Sequence, residues 1–258
     1  MFMEERHQKI LQTIQSQGKI TVAEITETYG VSEESARRDL RVLEQKGSCK
    51  RTHGGAIAPH QVHVKPPENR DFEKMPVFDN YREIARTAAT MIRENDVVYL
   101  TGGSLGYILL SFLPRNFYYT LVVNSVDLAK ALRGFDNVDV YVVGGKMRKS
   151  GSLVDTLANE FVSRIHFDLC FLTGGGLTSD FGLSNGTDET ATFQRAVLKN
   201  SRRRCLLIPS SKIGVDSFIK VCEADVFDEI ITDWECVEEQ IASLEEKDIR
   251  ITIVEEPK

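Results

Sequence analysis

No stretch of this 258-residue chain approaches the ~18 consecutive apolar residues that a membrane-crossing helix needs. Its first residues, MFMEERHQKI, are charged and carry no apolar core, so neither a membrane span nor a signal peptide is expected. The five cysteines, Cys49, Cys170, Cys205, Cys222 and Cys236, are odd in number, scattered, and form no CxxC pair. That argues against a disulfide framework and fits reduced thiols in a cytoplasm. Cys49, His53, His60 and His63 match no common zinc spacing, so no metal is expected. There is no Walker A motif, and Thr101 stands where the first glycine of a dinucleotide fingerprint would fall, so no cofactor is expected either. The formal net charge of −6 argues against a wholly basic nucleic-acid coat.

Charge is nevertheless uneven. Between Arg37 and Arg51 there are six basic residues against Asp39 and Glu44, a local +4 in an acidic chain. Screening acts over ~10 Å, so local sign decides phosphate contacts. The basic segment sits in a helical pattern. Ser32 is a good N-cap, and Ala36, Leu40 and Leu43 form an apolar stripe opposite Arg37, Arg38 and Arg41. Gly47 is placed to stop that helix, and the short basic run Lys50-Arg51-Thr52-His53-Gly54-Gly55 follows. Upstream, Glu4 to Ser16 reads as a helix with Ile10, Leu11 and Ile14 inside, ended by Gly18. Thr21 and Glu24 form a capping box opening a short helix with Val22, Ile25 and Tyr29, closed by a turn at Gly30. Three short helices with a tight turn between the second and third make a helix-turn-helix, and the basic tail adds a wing. A basic helix face alone is most often solvated surface; this setting makes it a candidate to enter a DNA groove while the loop rests on phosphates.

Pro59, Pro66, Pro67 and Pro76 punctuate an aperiodic stretch that reads as a linker. The expected division is 1–57 for the winged helix-turn-helix, 58–77 for the linker and 78–258 for a second domain. From Asn80 onward helices alternate with near-continuous apolar strands at Val97 to Leu100, Tyr119 to Val123, Val138 to Val143, Phe167 to Leu172, Cys205 to Ile208, Glu229 to Thr232 and Arg250 to Val254. This pattern predicts a parallel α/β sheet covered on both faces. The helix after the first strand is expected to begin near Tyr107. Four strands end in small or glycine-rich turns, at Gly102 to Gly106, Asn124-Ser125, Gly144-Gly145 and Gly174 to Gly176. Ligands bind at such strand ends, where glycine loops present backbone N–H groups to anions. Ser104 adds a hydroxyl and Lys212 a charge. Glycines also simply close tight turns, but several together point to recognition of a phosphorylated small molecule.

From Arg6 to Ala56 the ordered string Ile10-Leu11, Val22, Glu24, Val31-Ser32, Ala36-Arg37-Arg38-Asp39-Leu40, Leu43-Glu44, Gly47 and Arg51-Thr52-His53-Gly54-Gly55-Ala56 resembles the N-terminal domain of the DeoR family of bacterial transcription regulators. Cys49 stands where that family usually has a large aliphatic residue. From about Ile84 to Asp233, the string Gly103-Ser104, Asn124-Ser125, Gly144-Gly145, Gly174 to Gly176, Gly182-Leu183, Glu189, Ser210-Ser211-Lys212 and Ile231-Thr232-Asp233 is similar to the family's sensor domain. The resemblance implies a sensor fold like that of ribose-5-phosphate isomerase and glucosamine-6-phosphate deaminase, and an effector that is a sugar phosphate or related metabolite. Two family acids are missing from their usual places, at Thr101 and Pro209, and Leu105 replaces a threonine.

The resulting expectation is a cytoplasmic, DNA-binding transcription regulator of carbohydrate metabolism, acting as a repressor on double-stranded operator DNA as a dimer or tetramer, with no membrane partner. Ser32, Ser35, Arg37, Arg38, Arg41, Lys50, Arg51 and His53 are the expected DNA-binding residues, with Asp39 orienting an arginine. Gly102, Gly103, Ser104, Gly106, Asn124, Ser125, Gly144, Gly145, Gly175, Glu189 and Lys212 are the expected effector-binding residues. The alternative is a sugar-phosphate isomerase or deaminase using a carboxylate such as Asp180, Asp188 or Glu189 to move a proton.

Overall fold

The computed structural model describes residues 3–17, 19–46, 48–52, 54–57 and 78–257. They fall into two compact units, one within residues 1–61 and one within 62–258. The expected linker at 58–77, and the expected helix stops at Gly18 and Gly47, lie outside the described residues.

The smaller unit is three helices and three short strands: α1 (Met3–Gln17), β1 (Lys19–Thr21), α2 (Val22–Tyr29), α3 (Glu33–Gln45), β2 (Lys50–Thr52) and β3 (Gly55–Ile57). Thr21 caps α2 with the full reciprocal box: its hydroxyl accepts from the Glu24 N–H at 3.1 Å, and the Glu24 carboxylate accepts from the Thr21 N–H at 2.7 Å. Gly30 ends α2 in the left-handed conformation and Ser32 caps α3. The wing is broader than the sequence suggests. β1, for which the sequence carried no strand expectation, pairs antiparallel with β3, which pairs with β2. Ile10, Ile14, Ile25, Leu40 and Leu43 are all at most 2% exposed and form one core with Ala56 and Cys49. Cys49 therefore serves as the wing's apolar anchor, and burial pushes its thiol pKa up.

Asp39 is 2% exposed on the inner side of α3. It accepts hydrogen bonds from Arg6 Nε at 2.6 Å and Arg6 Nη2 at 3.2 Å, and lies 3.0 Å from His7 Nε2. Its arginine is thus in α1, not on the exposed face of α3. The pairing pins α1 across α3 and leaves the basic face free of it. Burial pushes the Asp39 carboxyl up, but the hydrogen bonds from Arg6 and His7 outweigh that and hold it below the usual carboxylate range.

The larger unit runs α4 (Asp79–Ala89), β4 (Val97–Leu100), α5 (Ser104–Leu109), β5 (Tyr119–Val123), α6 (Val126–Ala131), β6 (Val138–Val142), α7 (Thr156–Val162), β7 (Phe167–Leu172), β8 (Gly176–Thr178), β9 (Gly182–Asn185), α8 (Asp188–Lys199), β10 (Ser201–Leu207), β11 (Ile219–Cys222), β12 (Glu229–Thr232), α9 (Glu238–Glu245) and β13 (Arg250–Ile253). Seven strands form one parallel sheet in the order β13-β12-β10-β7-β4-β5-β6. Alternate strand residues face opposite sides. Val98, Leu100, Leu169, Phe171 and Ile231 pack with Ile84, Leu109 and Leu128 of α4 to α6. Tyr99, Cys170, Leu172, Leu206 and Ile230 pack with Ala158, Val197 and Leu244 of α7 to α9. The sequence does not reveal the second, antiparallel sheet, β11-β9-β8. Nor does α5 begin near Tyr107: it begins at Ser104, because Gly103 is the last residue outside helical geometry. Strand order reverses between β4 and β7, which opens a crevice at the carboxyl ends of the strands.

Removing the Asp39 pin should loosen the smaller unit. Asp39→Ala leaves Arg6 and His7 buried without their acceptor and is expected to cost ~3 kcal/mol, read as lost hydrogen-exchange protection in α1 and α3. The sign with pH is fixed. A carboxyl with a depressed folded-state pKa stabilises above its unfolded value of ~3.9 and loses that contribution as pH falls through the folded value. The gap between wild type and variant should therefore shrink in acid.

Candidate functional site

Two surfaces carry functional chemistry. On α3, Arg37, Arg38 and Arg41 are exposed on the side opposite buried Ala36, Asp39, Leu40 and Leu43. Arg37 reaches Glu33 at 3.4 Å, an exposed pair one turn apart that holds it only weakly. Ser32 and Ser35 stand at the amino end of α3, where the Ser32 hydroxyl accepts from the Ser35 N–H at 3.2 Å. The wing is tied to the same helix: the N–H of half-buried Arg51 donates to Glu44 Oε1 at 2.8 Å. Lys50 begins β2, with its side chain outside the described residues, and His53 lies outside them altogether.

The second site is a cavity of about 400 Å³ at the strand ends of the larger unit. The β4 loop supplies Thr101 to Leu105, the β5 end Asn124 and Ser125, the β7 end Thr173 to Gly175, and the segment after β10 Lys212. Asn124 locks two of these loops: its Oδ1 accepts from the Gly102 N–H at 3.0 Å and its Nδ2 donates to the Leu153 carbonyl at 3.3 Å. Ser125 doubles as the cap of α6. Lys212 Nζ donates to the Gly174 carbonyl at 2.9 Å.

Of the expected effector residues, Gly102, Gly103, Ser104, Asn124, Ser125, Gly175 and Lys212 line this cavity, whereas Gly106, Gly144, Gly145 and Glu189 do not. Three of the four have a structural cause. Gly106 lies inside α5, where a Cβ would stand 2.0 Å from the Thr101 carbonyl oxygen, so it is a packing glycine. Gly145 has φ of 138° and faces the Asp155 carboxylate that caps α7. Two N–H donors, Ala158 and Lys146, hold that carboxyl below its usual range. Gly144 has open space about it. Glu189 is exposed on the first turn of α8 and pairs with Arg148 at 2.9 Å; its own backbone N–H, then Arg148, lowers its pKa. Pro209 likewise lies outside the lining, so of the positions departing from the family only Thr101 and Leu105 face the cavity.

Arg148 is the residue that sequence reasoning missed. It reaches the lining from the loop after β6, donating to Thr190 Oγ1 at 3.1 Å and Thr187 Oγ1 at 3.4 Å. Its only signal in the sequence is a basic cluster, Lys146-Met147-Arg148-Lys149, just after a glycine turn. With Lys212 it gives the lining two cations, and no Asp, Glu or His is among the lining residues. A concave lining with two basic side chains, many hydroxyl and amide groups and no carboxylate has groups that can accept an anion. Among the described residues no cluster of His, Cys, Asp and Glu could hold a metal ion, and no helix is long and apolar enough to cross a membrane.

A winged helix-turn-helix with an exposed arginine face defines a DNA-binding transcription regulator. Residues 6–62 match the DeoR-like helix-turn-helix domain and residues 79–234 match the DeoR C terminal sensor domain, so the chain belongs to the DeoR family. It is 30% identical over 237 residues to the HTH-type transcriptional regulator GolR of Listeria innocua, covering 90% of this chain and 91% of that one. It is 30% identical over 234 residues to the HTH-type transcriptional repressor GlcR of Bacillus subtilis, covering 90% and 89%. The lactose phosphotransferase system repressor of Staphylococcus epidermidis is 28% identical over 232 residues, covering 89% and 91%. Among solved structures, ribose 5-phosphate isomerase A from Methanocaldococcus jannaschii superposes with a TM-score of 0.39 at 14% identity, over 52% of this chain and 53% of that one.

The double variant Arg37→Ala, Arg38→Ala is expected to weaken binding to duplex DNA while leaving the melting temperature in place, since both side chains are exposed. Fluorescence anisotropy against salt checks this. Each arginine that reaches a phosphate should lower the log–log slope by about 1, and an unchanged affinity assigns DNA contact to another surface.

Proposed function

We propose that this protein is a repressor of carbohydrate-metabolism genes, acting in the cytoplasm, and that a phosphorylated sugar in the strand-end cavity changes its affinity for operator DNA. α3 lies in the major groove with Arg37, Arg38 and Arg41 toward the duplex, and Arg51, with Lys50 and His53 of the wing, meets backbone. One bidentate arginine–guanine contact discriminates by ~1–3 kcal/mol. A single module covers a short site, so the protein acts as a homo-oligomer, a dimer or tetramer reading paired half-sites. The names of the relatives support the repressor reading and its carbohydrate setting.

The observation that carries the effector reading is the charge of the cavity: Arg148 and Lys212 are present and carboxylates are absent from the lining. A phosphate meets Lys212, Arg148 and several hydroxyls there, with the Glu189 carboxylate paired to Arg148 from outside the lining. The same observation weighs against an isomerase or deaminase, which needs a group placed to move a proton at the substrate's carbonyl carbon. Asp180, Asp188 and Glu189 all lie outside the lining.

A thermal-shift screen of the full-length protein against phosphorylated and free sugars tests this reading. A ligand at ~100 times its dissociation constant adds ~2.7 kcal/mol to folding stability. One phosphosugar is expected to raise the melting temperature while its unphosphorylated form does not. Lys212→Ala and Arg148→Ala should each reduce the shift, and Lys212→Ala should leave DNA binding without ligand intact. No shift with any phosphorylated compound refutes the effector assignment.

A further inference from the structure

The wall of the cavity contains a polar atom with no partner. Tyr99, the third residue of β4, is fully buried and lies in register with Cys170 of β7 and Val122 of β5. Its ring is held edge-on by Phe167, centroids 5.7 Å apart, and against Phe193 at 6.0 Å. Tyr99 and Phe193 both belong to the cavity lining. The Tyr99 hydroxyl has no partner in hydrogen-bonding geometry, although the Thr101 hydroxyl stands near enough to offset part of the effect of its burial. Among the described residues one other buried side-chain atom shares this state, Asn159 Oδ1, and Asn159 is not part of the lining.

The polar groups around it are committed elsewhere. Gln194 donates from Nε2 to the Thr173 carbonyl at 2.8 Å and accepts from Asn185 Nδ2 at 2.5 Å. Thr101, two residues along the chain, turns its hydroxyl to the Gly102 carbonyl at 3.4 Å. Buried hydroxyls in folded proteins are nearly always satisfied, so one left over at a cavity wall marks a group reserved for what enters the cavity. A phenylalanine would fill the same core space beside Phe167 and Phe193 without that burden. Burial also pushes the phenol pKa far up, so the hydroxyl stays neutral.

We propose that the Tyr99 hydroxyl is a specificity contact for the effector, hydrogen-bonding an uncharged oxygen, a hydroxyl or carbonyl, at the end of the molecule opposite its phosphate. The proposal rests on the effector reading above and adds the ligand's direction of entry. Arg148 and Lys212 are partly exposed, while Tyr99 has no exposure. The charged end therefore stays toward solvent and the neutral end goes in. An ionised group beside Tyr99, Phe193 and Val154 would lose its hydration without a counter-charge. The hydroxyl is shielded from water, so the contact forms with the small side-chain adjustment common at binding sites.

Tyr99→Phe removes one oxygen and keeps the ring. Full-length wild type and variant are titrated calorimetrically with hexose and pentose monophosphates and with inorganic phosphate, and their unliganded melting temperatures are compared. The expected result is about tenfold weaker binding of the phosphosugar that binds wild type, unchanged binding of inorganic phosphate, and an unliganded melting temperature equal or higher. Equal affinity for the phosphosugar, an equal loss for phosphate, or a lower unliganded melting temperature overturns the role of Tyr99 and leaves the effector site standing. A wild type that binds none of the phosphorylated compounds overturns the effector site as well.

Discussion

A parallel strand cannot return through a hairpin, and that constraint organises the sensor domain. Each connection must cross a face of the sheet, so every strand ends in a loop on the same edge. Both faces are then covered by helices, and loops with polar groups gather along the line of carboxyl ends. β4 lies at the point where strand order reverses, with β5 and β6 on one side and β7, β10, β12 and β13 on the other. The loops after β4 and β7 therefore diverge, and the cavity fills the gap between them. Asn124 keeps that gap in shape by joining the Gly102 N–H to the Leu153 carbonyl.

Within the cavity both cations are held in place by groups of the protein. Lys212 donates to a carbonyl, and Arg148 to two threonine hydroxyls, with Glu189 paired to it from an exposed position outside the lining. The positive charges are oriented before a ligand arrives, which lowers the ordering that binding must supply. A carboxylate in the lining would do the opposite, competing with a phosphate for both cations.

Much of this was legible in the sequence, for reasons that vary by element. β4, β5, β7 and β12 have the ends the sequence predicts, because continuous apolar runs bounded by small residues leave little choice. The capping box at Thr21 and Glu24 was equally plain, being a local pattern with a local cause. β8, β9 and β11 were not legible: each has three or four residues, and β8 and β9 open on glycines that read as turns. Gly106 and Gly145 show the converse limit. A glycine needed to clear a carbonyl or an Asp cap is indistinguishable in sequence from one that admits a ligand. Arg148 lay in a loop without period, and Tyr99 read as an ordinary strand residue; a hydroxyl's missing partner exists only in three dimensions.

The two units also divide the energetics of regulation. Each has its own core, so the DNA-binding helices and the strand-end cavity rest on separate packing. An effector changes operator affinity only by as much as its own affinity differs between the DNA-competent arrangement and another. A tenfold change in operator binding requires ~1.4 kcal/mol of such difference. One hydrogen bond to a buried group, made in one arrangement and broken in the other, is of that size. The Asp39 pin explains why the difference does not have to come from within the DNA-binding unit: with α1 fastened across the inner side of α3 through Arg6 and His7, the arginine face is presented as a rigid element. On the proposed reading, what an effector then has left to change is how many such faces are held at the spacing of paired half-sites, rather than the helix that reads the DNA.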